Sequence, residues 1–203
     1  DVNKLSGAFH EAFAIANNGR PGPVLIDIPK DVQFATGKYL EPHEISIPKH
    51  RLFESRVKGN EAQIEEACKL IANSKKPIFY IGGGCINSGI KASNHVREFI
   101  KETGAPATMT LMGLGVIPSS NRYSLGMLGM HGMYEANLAM HDCDVMINIG
   151  ARFDDRVTGR LDAFSPNSKK IHIDIDASSI NKNIKVDVPI VGDVETIMNQ
   201  LQN

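Results

Sequence analysis

The charged segment at residues 150–160 is the first place where this sequence could do chemistry. It reads Gly150-Ala-Arg-Phe-Asp-Asp-Arg-Val-Thr-Gly-Arg160 and directly follows an apolar run of strand type, residues 144–149. Arginine guanidinium groups bind phosphates and carboxylates through paired hydrogen bonds, and a neighbouring carboxylate can hold the guanidinium in place. A solvated loop with weak ion pairs would have the same composition. The position after a strand favours contact with an anionic ligand.

A glycine run, Gly82-Gly83-Gly84, follows the apolar residues 77–81. Glycine lets backbone N–H groups approach a phosphate closely, and a following helix would add its positive end. Neither standard phosphate motif fits, because Asn87 replaces the third glycine of G-x-G-x-x-G and Ile90 replaces the lysine of the phosphate loop. Nucleotide binding and a plain tight turn are equally supported here.

Two further segments, residues 110–118 and 126–132, are rich in methionine and glycine. Such residues form an adaptable wall that suits a flat ring system. His131 could be a base or a ligand contact, although a hydrogen-bonded structural histidine is the more common case. The ordinary alternative for the methionines is core packing, and it applies to Met112, Met127, Met130 and Met133.

Near the end of the chain, His172, Asp174 and Asp176 alternate along a predicted strand and share one face. His-x-Asp-x-Asp could ligate a metal ion. An acid at a strand end could instead accept hydrogen bonds from a ribose, as in dinucleotide-binding folds. Capping of a helix by Asp176 or Ser178 explains the acids equally well. No Ser-His-Asp or Cys-His nucleophile is indicated by spacing.

The elements that carry these segments alternate between helix and strand, which is typical of a parallel α/β sheet with both faces covered. In such sheets, ligands bind beyond the carboxyl ends of the strands. The polar stretch 36–58 predicts a linker, and residues 110–131 receive no assignment. Periodicity and capping residues predict helices over 4–18, 61–73 (capped by Asn60), 90–102, 133–141 and 193–202, and strands over 24–28, 77–81, 105–109, 144–149, 170–175 and 189–191.

Composition excludes several classes of function. The 203 residues carry 22 basic and 23 acidic side chains, so bulk charge gives no support to a nucleic-acid or membrane-surface protein. The three cysteines form no C-x-x-C pair, which argues against a zinc site or a disulfide framework. No apolar run is long enough to span a membrane, and three widely spaced thiols suit a reducing, cytosol-like compartment, so we expect a cytoplasmic protein. The start Asp1-Val2-Asn3-Lys4 is no signal peptide and lacks an initiator methionine, so we expect a piece of a longer chain.

Several of these segments together resemble one enzyme family. Gly19-Arg-Pro-Gly-Pro-Val-Leu-Ile-Asp-Ile-Pro-Lys-Asp-Val32 resembles the end of the pyrimidine-binding domain of thiamine diphosphate enzymes. Leu128-Gly-Met-His-Gly132 and the segment from Gly150 to Gly159 are similar to the large catalytic subunit of biosynthetic acetohydroxyacid synthases (acetolactate synthases). The resemblance covers essentially the whole chain. Its most specific part is Arg-Phe-Asp-Asp-Arg, which flavin-free catabolic relatives do not normally carry.

The resemblance implies a fold and a domain organisation. Residues 1–35 would be the tail of the pyrimidine-binding domain, 36–58 a linker, and 59–203 the middle domain. That middle domain is α/β, with a six-stranded parallel sheet and helices on both faces. It is Rossmann-like, of the DHS-like NAD/FAD-binding type, and in this family it binds FAD.

The resemblance also implies an activity. The family condenses pyruvate with pyruvate or 2-ketobutyrate through hydroxyethyl-thiamine diphosphate, in branched-chain amino-acid biosynthesis, and its flavin takes no net redox part. The catalytic glutamate and the Mg²⁺ motif of the thiamine diphosphate site have no match here, so no metal ligand is assigned to this chain and the chain alone should be inactive. Homodimers or tetramers with a small regulatory subunit are expected.

Residue by residue, the resemblance assigns roles to matching positions. Arg156 would reach the carboxylate of the second 2-keto acid, and Lys30 would lie at the substrate channel entrance. The FAD contacts would be Arg20, Gly82, Gly83, Gly84, Thr110, Leu111, Met130, His131, Gly150, Ala151, Arg152, Asp154, Arg156, Val157, Asp174, Ile175, Asp193 and Val194.

Three alternatives stay open at this point. Glyoxylate carboligase is a flavin-containing relative, although the Arg-Phe-Asp-Asp-Arg segment favours the synthase. A non-catalytic nucleotide-binding or assembly module would use the same sheet edge without flavin. An NAD-dependent deacylase has a similar sheet, but such enzymes usually need paired cysteines for zinc, and this sequence has none.

Overall fold

The computed structural model describes residues 1–47 and 58–202. Residues 48–57 of the predicted linker and the last residue therefore lie outside the described part. The chain divides into two compact units, Asp1–Ser55 and Arg56–Asn203. Each unit is described by itself below.

The first unit is mainly helical. Helix α1 spans Leu5–Asn17, as the sequence predicted, and α2 spans Lys30–Phe34. Short 3-10 turns occupy Val2–Lys4 and Pro42–Glu44. Gly19 follows α1 with a φ of 61°, a left-handed conformation that glycine adopts without strain.

The predicted strand at residues 24–28 is wrong for the described part of the chain. The segment has no regular secondary structure, and 91% of Leu25 is exposed. Its apolar, β-branched composition favours extended backbone, but a strand also needs a neighbouring strand to accept its hydrogen bonds. No described residue pairs with it in a sheet.

The second unit contains a six-stranded sheet in which every pairing is parallel. The strand order is β3-β2-β1-β4-β5-β6. The sequence predicted five of these strands, and the parallel α/β fold is confirmed. The strands are β1 (Pro77–Ile81), β2 (Ala107–Met109), β3 (Ser124–Met127), β4 (Val145–Ile149), β5 (Lys169–Asp174) and β6 (Val188–Val191).

α-Helices connect β1 to β2, β3 to β4 and β4 to β5, and two more lie before β1 and after β6. The predictions for α3, α5, α6 and α8 are confirmed to within one or two residues. Asn60 begins α3 by accepting hydrogen bonds from the N–H groups of Ala62 and Gln63 through its Oδ1, at 3.0 and 3.4 Å. The helices are α3 (Glu61–Asn73), α4 (Gly83–Ser88), α5 (Ile90–Thr103), α6 (Tyr134–Asp142), α7 (Asp155–Thr158) and α8 (Val194–Gln202).

Successive side chains along each strand point to opposite faces of the sheet, and both faces are buried. Phe79 and Ile81 of β1 belong to a large apolar cluster with residues of α3, α5 and α8. Ile78 and Tyr80 belong to a smaller cluster with residues of α6. The helices therefore cover both faces.

The strand order reverses direction between β1 and β4. From β1 the chain progresses outward to β2 and β3, whereas β4 starts the other half of the sheet. Loops that leave neighbouring strands in opposite directions create a crevice at the carboxyl ends, and ligands of open α/β sheets bind there. The loops after β1 and β4 flank this crevice.

Candidate functional site

The predicted cofactor residues of the second unit lie at or just beyond the carboxyl ends of its six strands. The fold thus brings to one edge of the sheet segments that are more than a hundred residues apart in sequence. After β1 come Gly82–Gly84, after β2 Thr110 and Leu111, after β3 Met130 and His131, after β4 Gly150–Val157, at the end of β5 Asp174 and Ile175, and after β6 Asp193 and Val194.

The glycines after β1 and β4 bring the two central loops into direct contact. The N–H of Gly82 donates to the carbonyl of Ile149 at 2.8 Å, and the N–H of Gly84 donates to the carbonyl of Gly150 at 3.0 Å. A Cβ on Gly84 would lie 2.8 Å from the Cα of Gly150. The glycine run therefore permits close loop packing, and two of its three N–H groups are used for that contact.

The charged segment begins the short helix α7. The carboxylate of Asp154 caps this helix by accepting a hydrogen bond from the N–H of Arg156 at 3.1 Å. The guanidinium of Arg152 lies 3.8 Å from the same carboxylate. The side chain of Arg152 is 59% exposed, so it can bind an anion that approaches this edge.

A buried layer beneath the segment fixes its backbone, and the sequence analysis missed this layer. The amide of Asn148 donates to the carbonyl of Ala151 at 2.8 Å and accepts from its N–H at 3.1 Å. The fully buried amide in the middle of β4 satisfies the backbone at the strand end. A polar residue within the apolar run 145–149 was the available signal.

Phe153 lies in the same layer with a φ of 51°, which is uncommon for a bulky residue. Its ring packs against the rings of Tyr80, Phe164 and His172, with centroids 5.6, 5.9 and 5.1 Å away. Its carbonyl accepts a hydrogen bond from the amide of Asn183 at 2.8 Å. These contacts hold the strained backbone and orient the flanking Arg152 and Asp154 outward.

Tyr80 remains a neutral hydroxyl beneath this edge. Burial raises the pKa of Tyr80, the Asp154 carboxylate raises it further, and the Arg152 guanidinium opposes the shift. A neutral phenol can donate a hydrogen bond near the charged segment.

The loops after β2 and β3 supply an apolar rim. Leu111 and Met130 are 69% and 65% exposed, and His131 is also exposed. The N–H of Met130 donates to the carbonyl of Arg156 at 2.8 Å, which joins this rim to the charged segment. The methionine is thus available to a ligand and does not fill the core.

The acids after β5 separate into two roles. Asp176 caps the 3-10 turn Ala177–Ser179 by accepting from the N–H of Ser178, which supports the capping interpretation for this residue. Asp174 is buried, with Oδ1 accepting from the N–H of Asp176 at 2.9 Å and Oδ2 lying 3.6 Å from Nε2 of His172. Among the described residues, no group of three or more His, Cys, Asp or Glu could hold a metal ion.

The residues after β6 serve packing and capping. Asp193 accepts hydrogen bonds from the hydroxyl of Ser88 at 2.8 Å and from the N–H of Thr196 at 3.4 Å. Val194 is buried in the large apolar cluster. Their predicted contacts with FAD stay predictions.

Arg20 and Lys30 belong to the first unit, where both are exposed. The ammonium of Lys30 lies 5.9 Å from the ring centroid of Phe34, one helical turn away. Their roles at a cofactor and at a substrate channel also stay predictions.

Fold and site together define a doubly wound α/β domain with a polar edge at its topological switch point, where ligands of such sheets bind. Residues 64–201 match the family model described as the central domain of thiamine pyrophosphate enzymes. The chain belongs to this family, as the resemblance implied.

Among curated proteins, the chain is similar to large subunits of acetolactate synthases. The chain is 45% identical over 195 residues to the acetolactate synthase large subunit of Buchnera aphidicola, covering 95% of this chain and 33% of that protein. It is 46% identical over 199 residues to the large subunit of Haemophilus influenzae, covering 97% and 34%. For the isozyme 3 large subunit of Escherichia coli the identity is 42% over 193 residues, covering 94% and 33%. The chain thus spans about a third of the length of these relatives.

Within the described residues, no helix is both long and apolar enough to cross a bilayer.

Proposed function

We propose that this chain forms the FAD-binding part of an acetolactate synthase large subunit. The whole protein would join a two-carbon unit from pyruvate to a second pyruvate or to 2-ketobutyrate, in branched-chain amino-acid biosynthesis. Support comes from membership of the thiamine pyrophosphate enzyme family and from relatives at 42–46% identity that carry the synthase name.

One observation carries the proposal. The segment with Arg152, Asp154 and Arg156 leaves β4 at the switch point of the sheet and is braced from below by Asn148 and Phe153. Two arginines on a braced backbone segment beside the crevice fit the diphosphate of a dinucleotide, because a guanidinium group can form paired hydrogen bonds to phosphate oxygens.

Other residues of the edge fit the remaining parts of FAD. The carboxylate of Asp174 can accept hydrogen bonds from the adenosine ribose. The exposed side chains of Leu111 and Met130 can pack against the flavin ring. When bound, the flavin would supply a redox-active ring that takes no net redox part in the condensation.

Arg156 would have a second role at the substrate. Its exposed side chain lies at the start of α7, and the resemblance assigns it to the carboxylate of the second 2-keto acid. Lys30 would attract the same anions at the channel entrance, and Arg20 would contact FAD, as the resemblance implies. Positive side chains suit substrates that carry a carboxylate.

The remaining cofactors and partners belong to the whole protein. Thiamine diphosphate and Mg²⁺ would bind outside this chain, so the chain by itself would not decarboxylate pyruvate. The relatives are large subunits, which supports a small regulatory subunit as a partner. We further propose a homodimer or homotetramer in the cytoplasm.

The test is FAD binding by the 203-residue chain. Equilibrium dialysis separates bound from free FAD, and flavin absorbance measures each amount. We expect one bound FAD per chain. Arg152→Ala should weaken binding about tenfold, because a charge-assisted hydrogen bond to the diphosphate is lost. Arg160→Ala is the matched control, since Arg160 is exposed and pairs with Asp162 at 2.9 Å.

Two outcomes would contradict parts of the proposal. Equal losses in Arg152→Ala and Arg160→Ala would exclude the assigned edge. Binding of ADP but not of FAD would favour the nucleotide-binding module without flavin. For the whole protein, acetolactate formation from pyruvate supports the synthase, whereas condensation of glyoxylate alone would favour glyoxylate carboligase.

A further inference from the structure

His172 is a buried polar side chain that the proposed cofactor contacts do not use. It lies in the middle of β5 with 0% of its surface exposed. Neither of its ring nitrogens has a hydrogen-bond partner within the described residues. Buried polar atoms are almost always paired, so this imidazole requires an explanation.

The neighbours of His172 within the sheet offer it no partner. Across the strand pairings it faces Asn148 on β4 and Pro189 on β6. Both amide atoms of Asn148 are engaged with Ala151, and proline has no N–H group. Above the ring, Phe153 packs edge-to-face at 5.1 Å and 75°.

Asp174 is a polar neighbour of His172, on the same face two residues further along β5. Nε2 of His172 lies 3.6 Å from its Oδ2, slightly beyond a normal hydrogen bond. A shift of several tenths of an ångström in either side chain would bring the pair to about 3 Å. The packing of Phe153 against the ring restricts the other directions in which the imidazole could turn.

The carboxylate of Asp174 is already held on its other oxygen. Oδ1 accepts the N–H of Asp176 at 2.9 Å, and the side chain is 8% exposed at the carboxyl end of the strand. A carboxylate has about four acceptor sites, so two protein donors leave sites for a ligand. A donor on Oδ2 would fix the plane in which these sites point.

We propose that His172 is a positioning residue for ribose recognition: its Nε2–H donates to Oδ2 of Asp174 and orients the carboxylate toward the ribose hydroxyls of an adenine nucleotide. This inference rests on the proposed function, because it takes Asp174 as the ribose contact. A buried partner that holds a ligand-binding group in one orientation raises affinity by preorganisation.

The first test needs no ligand. In nitrogen-15 correlation spectra of the histidine rings of the 203-residue chain, Nε2 of His172 should carry the proton, and its proton resonance should move in Asp174→Ala. A proton on Nε2 supports the proposal whether or not Nδ1 is also protonated. A bare Nε2 with the proton on Nδ1 overturns it.

The second test measures discrimination between riboses. Calorimetric titrations compare the binding of ADP with that of its 2′-deoxy and 3′-deoxy analogues. They use the unmodified chain and two variants in which His172 is replaced by a side chain of similar length. The unmodified chain should bind ADP about tenfold tighter than at least one analogue, since a hydroxyl that donates to the carboxylate is lost. His172→Gln keeps a donor at the position of Nε2 and should retain this ratio, whereas His172→Met should lose most of it.

Controls separate failure of the inference from failure of the proposed function. Thr108→Val alters a buried polar side chain in the same row of the sheet, where Thr108 donates to the carbonyl of Gly126 at 3.0 Å, and should leave the ratio unchanged. If His172→Met retains the preference for ADP over the deoxy analogue, the role of His172 is overturned, but the ribose contact of Asp174 is not. No preference in the unmodified chain overturns the ribose contact of Asp174 and the inference with it.

Discussion

A Cβ atom on Gly82 would lie 2.1 Å from the carbonyl oxygen of Gly150. These glycines follow β1 and β4, the two central strands between which the order of strands reverses direction. The carbonyl of Gly150 also accepts a hydrogen bond from the N–H of Gly84 at 3.0 Å. The width of the crevice is therefore set by backbone contact between the loops.

Gly82→Ala should force the two loops apart. The added methyl group meets backbone, which cannot move aside as the end of a flexible side chain can, so we expect a loss of about 2 kcal/mol or more in the free energy of unfolding. FAD binding should fall in parallel. Urea denaturation and equilibrium dialysis measure the two effects.

The matched control is Gly7→Ala in α1. A Cβ on Gly7 would meet nothing within 4 Å, and alanine is the better helix former. It should be neutral or slightly stabilising. Similar effects of the two substitutions on unfolding would mean that the loops can separate without cost.

Asn148→Leu should destabilise the charged segment from below. The substitution has similar volume, but it leaves both the N–H and the carbonyl of Ala151 without their buried partner. Each unsatisfied group costs about 1–3 kcal/mol. Denaturation should report a loss of that order, and hydrogen exchange of Ala151 should accelerate more than exchange in the middle of β1.

Asn73→Ala tests whether the loss of stability in Asn148→Leu arises because the hydrogen bonds of Asn148 are buried. Asn73 also makes an amide hydrogen bond to a carbonyl, that of Lys69 at 2.7 Å, but it is exposed on α3. Water can replace that bond, so the loss should be small. A comparable loss in both variants would argue against the bracing role of Asn148.

Stability should depend on pH through Asp144. Burial raises the pKa of this carboxyl, but hydrogen bonds from the N–H groups of Lys75 and Lys76, at 2.6 and 2.9 Å, outweigh it and hold the pKa below its ordinary value. Because the folded pKa is depressed, the stabilisation is present above the unfolded value of about 3.9 and is lost as pH falls through the folded pKa.

Asp144→Asn should therefore lower the free energy of unfolding at pH 7, and the difference from the unmodified chain should shrink toward pH 3. Denaturation at a series of pH values measures this. Asp162→Asn removes an exposed carboxylate that pairs with Arg160, and should change the profile little. A difference independent of pH would contradict the role of charge at Asp144.

In the whole protein, Arg156→Ala should impair use of the second 2-keto acid far more than decarboxylation of the first. The lost cation would contact a carboxylate that enters only for the second step, so kcat/KM for that substrate should fall by about 10- to 100-fold. Separate assays of carbon dioxide release and product formation measure the two half-reactions. Equal losses in both, or an equal effect of Arg160→Ala, would contradict the assignment.

Much of the fold could be predicted from local sequence. The apolar runs of β1 and β4, the cap at Asn60 and the periodic faces of α3 and α5 are short-range signals, and each element formed where they indicated. The edge strand β3 escaped prediction, because Gly126 interrupts a short and only partly buried run. Residues 24–28 show the opposite error: local composition favoured a strand, but no described strand pairs with it.

The sequence by itself determined which segments follow strands, and so which side chains could meet at one edge. Only the tertiary structure decided how they meet: that Gly82 contacts Gly150, that Asn148 holds Ala151, and that His172 lies beside Asp174. The physical reason is that pattern and propensity act over a few neighbouring residues. These contacts instead depend on strand order and register, which the packing of the whole sheet fixes.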